Sequence, residues 1–229
     1  MAFFSKTKGY SESKQFKGNT KLEKLTIPDT SYIRFKYYSI LQNTSTPKVI
    51  RQGAAKVYLD KNKVTASDYI VIDTSTVLQG MRDSSFQYSG NFIKLVAGQD
   101  YTIDYNTGII TFKNILSKQY VIAIDYQFSD GTWLSDSTNG NPQIIKDTNK
   151  TSPVTTESFS FYSLGNYQII RDDGRNSFIL EFKDLNNSVP TKIEGGKTVP
   201  NYPANITVDF ENGIFYLSPL EGFPLHDSL

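Results

Sequence analysis

One stretch of this chain occurs twice. Residues 102–112, TIDYNTGIITF, align without a gap on residues 207–217, TVDFENGIFYL, with identity at Thr102/Thr207, Asp104/Asp209, Gly108/Gly213 and Ile109/Ile214. A second match lies upstream of each copy, where FKYYSI at 35–40 pairs with FSFYSL at 159–164 and VIRQG at 49–53 with IIRDDG at 169–174. Matches in the same order constrain the fold more tightly than composition does, because a repeated segment implies a repeated structural unit. They divide the chain into a basic arm at 1–30, unit one at 31–128, a polar linker at 129–157 and unit two at 158–229. The arm is expected to be flexible, since Lys6, Lys8, Lys14, Lys17, Lys21 and Lys24 stand among Ser, Thr, Gly and Gln.

Each unit reads as strand. From Ser31 onward the side chains alternate with a period of two, which places neighbours on opposite faces of a strand. In the clearest case Tyr120, Ile122, Ile124, Tyr126 and Phe128 share one face and Val121, Ala123, Asp125 and Gln127 the other, the pattern of a strand buried on one side. Fifteen Tyr and 15 Phe against 2 Met favour a pleated surface. No window of 11 or more residues combines helical periodicity with caps. The expectation is therefore an all-β chain of two tandem β-sandwich-like, Ig-like units. Unit one continues past Phe112 into the strand at 120–128, whereas after Leu217 unit two has Pro219, Gly222 and Pro224. Unit two is expected to lack its closing strand here, leaving an edge open to β-addition.

The repeated element itself predicts a β-hairpin. The strand is expected to end at Tyr105 or Phe210, two residues to make a tight turn, and Gly108 or Gly213 to take a positive φ. Asp104 and Asp209 belong to the same turn. Asp104 with Asn106, and Asp209 with Glu211, have the alternating oxygens of a calcium loop, but no long acidic loop closed by a bidentate Glu follows, so turn formation accounts for them and no metal is expected.

Composition removes other chemistry. There is no Cys for a thiolate site or thiol nucleophile, and one His, His226, cannot build a multi-histidine metal centre. A net charge of +1 gives no field to hold a polyanion, so no nucleic-acid partner is expected. No phosphate loop, dinucleotide fingerprint or nucleophile elbow appears, and neither Ser163-Leu164-Gly165-Asn166 nor Gly195-Gly196 has the required flanks. No enzyme activity, catalytic residue or cofactor is expected. Trp133 is the one candidate for ligand stacking, set against a packing role in the linker. The sequons at Asn43, Asn149, Asn186 and Asn205 recur by chance in a chain rich in Ser, Thr and Asn. No apolar run approaches the roughly 20 residues of a membrane-crossing helix, and the first residues lack the apolar core of a secretory signal. That leaves an intracellular protein or an internal piece of a longer one.

VYLD at 57–60, VAGQDYTIDYNTGIITF at 96–112 and IDYQF at 124–128 together resemble the repeated β-modules of large bacterial cell-surface and outer-membrane proteins, the family of the gliding-motility and type IX secretion protein SprA. The similarity covers unit one and, more loosely, 162–213 in unit two. Residues 66–91 depart from the compact pattern as an inserted hairpin or loop. The resemblance implies a non-catalytic structural or interaction segment of a cell-surface or secretion-associated protein, in the periplasm or outside the cell, whose partners are other proteins or neighbouring repeats. It carries over no catalytic residue. A carbohydrate-binding module and a phage tail protein are the alternatives.

Overall fold

The computed structural model describes residues 26–41, 49–62, 77–80, 87–134, 142–148, 155–164, 181–183, 186–201 and 205–218. In chain order the strands are β1 (Tyr37–Ser39), β2 (Lys56–Asp60), β3 (Val77–Gly80), β4 (Gln87–Ser89), β5 (Ile93–Lys94), β6 (Tyr101–Asp104) and β7 (Ile109–Phe112). They continue with β8 (Val121–Asp125), β9 (Gln143–Lys146), β10 (Phe161–Ser163), β11 (Thr191–Glu194), β12 (Lys197–Pro200), β13 (Asn205–Asp209) and β14 (Ile214–Ser218). A single 3-10 turn, Asp29–Ser31, is the only helical element among the described residues. The fold is all-β and sandwich-like, as the period-two pattern predicts.

Two of the sheets have the same strand order and register. One three-stranded sheet has the order β1-β7-β6 and another the order β10-β14-β13. Tyr37 faces Thr111 as Phe161 faces Tyr216, and Thr102 faces Thr111 as Thr207 faces Tyr216, all in antiparallel pairs. The hydrogen bonds outside the ladders follow suit. Ile40 N–H donates to Gly108 O at 2.8 Å as Leu164 N–H donates to Gly213 O at 2.8 Å, and Phe112 N–H donates to Lys36 O as Leu217 N–H donates to Ser160 O. Sequence identity at four positions thus marks a backbone arrangement shared over three strands.

In unit one this sheet packs on a six-stranded sheet of order β4-β3-β9-β8-β2-β5, antiparallel except where β3 meets β9. Tyr38, Ile40, Ile110 and Phe112 on one side meet Val57, Leu59, Ile122 and Ile124 on the other, all nearly or fully buried. Each such side chain contributes about 1.5–3 kcal/mol through removal of apolar surface from water. The Tyr126 hydroxyl, also buried, donates to Ile40 O and ties the two layers.

Three expectations are corrected here. β8 is buried on both faces: Val121 and Ala123 are fully enclosed in a second cluster with Tyr58, Phe92 and Ile144, and Asp125 is enclosed as well. The linker is not bare, because β9 lies inside it and pairs with both β8 and β3. The arm ends earlier than expected, because Ile27 packs against the core of unit two, formed by Tyr162, Leu164, Phe215 and Leu217. Residues 1–25, His226 and the segment after Ser218 lie outside the described residues.

Candidate functional site

The two units meet in a reciprocal crossing. Ile33 N–H donates to Phe161 O at 2.7 Å, so the segment leading into β1 lies on β10. In return Ser39 N–H donates to Thr156 O at 2.8 Å and Ser158 N–H to Tyr37 O at 2.9 Å, so the segment leading into β10 lies on β1. Tyr32 and Tyr162, and Tyr38 and Glu157, are the bridge partners. Thr156 N–H also reaches Ile145 O, which joins the crossing to β9. Equivalent side chains then touch: Tyr37 and Phe161 stack with ring centroids 3.9 Å apart and planes 5° from parallel. Ile109 is buried with them, and Ile33, Ile214 and Tyr216 pack around the three.

A groove of about 420 Å³ opens beside this stack, lined from both repeats by Lys36, Tyr37 and Thr111 and by Phe161, Asn212 and Tyr216. Asp104 and Asp209 stand along it. Their turns are built alike. Asp104 Oδ1 accepts from Asn106 N–H at 2.9 Å and Thr107 N–H at 3.3 Å, and Asp209 Oδ1 accepts from Glu211 and Asn212 N–H, each at 3.0 Å. The strands therefore end at Asp104 and Asp209, one residue before the expected Tyr105 and Phe210, because the carboxylate captures the amides that would have extended the ladder. Gly108 and Gly213 close the turns at φ +67° and +63°.

The carboxylates are held ionised. Desolvation alone would raise the Asp104 carboxyl, but donors from Asn106 and Thr107 outweigh it and place it below the ordinary value. The Asn212 side-chain amide, 2.7 Å from Asp209 Oδ2, is the main cause that lowers Asp209, with the turn amides adding to it against slight desolvation. Burial pushes the Tyr37 hydroxyl up, and the charge of Asp209 pushes it further, which links a side chain of one repeat to the turn of the other.

Beneath the crossing sit two buried charges that the sequence did not single out. Lys146, 4% exposed, donates through Nζ to Lys118 O at 2.8 Å and Tyr120 O at 2.5 Å. Desolvation pulls it down to about 8, against the opposing charges of Glu157 and Asp147. Glu157 accepts the Phe35 N–H; its carboxyl is raised by burial, against that donor and the charges of Arg34 and Lys146. Phe35 itself has φ +59°, the only bulky side chain in the left-handed region among the described residues. Nothing local in the sequence announces this conformation.

The sequence candidates fall in different places. Asp104 and Asp209 line one groove at the seam, while Gly108 and Gly213 close the turns that carry them and do not line it. Trp133 is elsewhere, half-buried beside Gln127, with Lys56 Nζ 4.8 Å from its ring centroid, so a lysine of the chain covers one face of the proposed platform. Among the described residues no group of three or more His, Asp or Glu side chains is placed to hold a metal ion, and no helix is long and apolar enough to cross a membrane. No family model, curated protein or solved structure matches this chain.

Proposed function

We propose that this chain is a non-catalytic structural and interaction segment of a bacterial cell-surface or secretion-associated protein, in which two copies of one β-module are strapped into a single body. The observation that carries the reading is the reciprocal crossing. Modules joined only by a flexible linker can swing, whereas here the segment leading into β1 is hydrogen-bonded to β10 and the segment leading into β10 to β1, an arrangement suited to bearing load or presenting surfaces at fixed spacing. The resemblance of 57–60, 96–112 and 124–128 to bacterial surface modules supports the location. The ribbon β11–β12 supports the interaction role: nearly every residue of it is exposed, including Ile193 at 72%, and it pairs with no further strand among the described residues. An antibody raised to residues 191–200 and applied to intact source cells tests the location. Labelling before lysis is expected, and labelling only after lysis would contradict it.

A second reading, carbohydrate binding, draws on the groove. Its half-buried Tyr216, with Asp104, Asp209 and Asn212 along the same groove, offers one aromatic side chain and acceptors of the kind that hold sugar hydroxyls. A glycan array separates the two readings: saturable binding of one glycan that is lost in Asp209→Ala and kept in Trp133→Ala favours the groove, and an empty array favours the scaffold.

A further inference from the structure

The residues just before β1 belong structurally to unit two, although they precede unit one in the chain. Ile27 and Tyr32 pack on the unit-two core, Tyr32 meets Phe159 edge-on at 4.8 Å, and Ile33 bonds to Phe161 O. From Phe35 onward the backbone belongs to unit one. Phe35 O accepts from Leu116 N–H at 3.0 Å and Lys36 O from Phe112 N–H at 2.9 Å. The changeover falls on Phe35, the residue whose φ of +59° is costly for a side chain of that size. The Phe35 N–H is held by Glu157, one of two buried charges at the same point, so the closed hinge combines backbone strain with buried charge.

We propose that residues 26–34 are an exchangeable strap, and that its second binding partner is another copy of this chain: the strap of one copy docks on β10 and the Tyr162/Leu164/Phe215 core of the other. A second copy presents an identical receiving surface, so exchange keeps every strap contact and changes only the hinge. Opening Phe35 to an extended conformation releases its strain, and this opposes the association entropy that the dimer costs. The inference goes beyond the scaffold reading and does not depend on it.

The hinge gives the test, using the full chain refolded from denaturant over a range of concentrations and examined by sizing chromatography with light scattering. Phe35→Gly and Phe35→Asn accept positive φ, stabilise the closed monomer and should lower the dimerisation constant about tenfold or more. Phe35→Pro forbids that φ, and should raise the dimer fraction at equal concentration. Because the chain has no Cys, mixing Tyr32→Cys chains with Tyr162→Cys chains before refolding should give a disulfide that links the two different variants. Dimerisation that ignores all three hinge substitutions, a Phe35→Pro chain that stays monomeric, or a dimer in which the mixed cysteines never link would each overturn the proposal. Surface labelling by the antibody to 191–200 is indifferent to all of these outcomes.

Discussion

The two repeated glycines form an internal control, because their backbones match and their surroundings do not. At Gly213 an added Cβ would meet nothing within 4 Å, so Gly213→Ala carries only the penalty of holding an L side chain at φ +63°. That is about 1–2 kcal/mol. At Gly108 the same Cβ would lie 2.3 Å from Leu41 Cγ, 2.6 Å from Cδ1 and 2.9 Å from Cβ, distances that no rotation of the far end of a leucine can relieve. Overpacking there adds about 1–3 kcal/mol, so Gly108→Ala should cost about 2–5 kcal/mol in all. Urea denaturation of the two variants measures the difference. Leu41→Ala should rescue part of the Gly108→Ala loss and leave Gly213→Ala unimproved, a coupling that a double-mutant cycle isolates. Equal losses at the two glycines, or no rescue by Leu41→Ala, would refute the assignment of these turns and of the contact beneath Gly108.

Two buried tyrosines predict opposite outcomes. Tyr126→Phe strands the buried Ile40 carbonyl and should destabilise by about 1–3 kcal/mol, whereas the Tyr38 hydroxyl has no hydrogen-bond partner among the described residues, so Tyr38→Phe should be neutral or stabilising by thermal melt. Lys146 titrates lower in the folded chain than its ordinary 10.5, so the folded state gives up a proton that the unfolded chain keeps; its penalty is full below about 8 and is relieved as pH rises towards 10.5. The stability of the wild type relative to Lys146→Met should therefore rise by about 1–2 kcal/mol between pH 7 and 9.5, and a flat difference would place that ammonium in water. Asp104→Ala and Asp209→Ala should each cost about 1 kcal/mol at pH 7 by removing a turn acceptor; because both carboxyls titrate below their ordinary 3.8, the difference from wild type should shrink as the pH falls through that value and below.

Much of the fold was legible because strands advertise their period. Tyr37 and Phe161, which align in the sequence, stand at corresponding rungs, opposite Thr111 and Tyr216. The burial of β8 on both faces was legible too, but in a different signal: Tyr120 to Ile124 is an unbroken apolar run, the mark of a strand covered on both sides, and alternation beyond it obscured this. β9 was missed because Gln143–Lys146 is only four residues in a polar stretch and draws its partners from β3 and β8, far away in the chain. The crossing was out of reach for the same reason. Local pattern shows that Tyr32 and Ile33 are apolar, but not that they cover the other unit, and no residue preference points to a phenylalanine at positive φ. Of the candidate site, the turn residues were visible, and the charges of Lys146 and Glu157 were not, because their significance lies in burial alone.

Backbone hydrogen bonds, not a linker alone, strap the two units together. Amide hydrogen exchange, followed by NMR at single residues, tests it at the bonds themselves. The Ile33 and Ser158 amides, which cross between the units, and the Ser39 amide, which binds the end of the linker just before unit two, should exchange on the timescale of Phe112, whose bond to Lys36 O lies wholly within unit one. Rapid exchange at all three of these amides while Phe112 remains protected would mean two independent domains on a flexible tether, and would contradict the account.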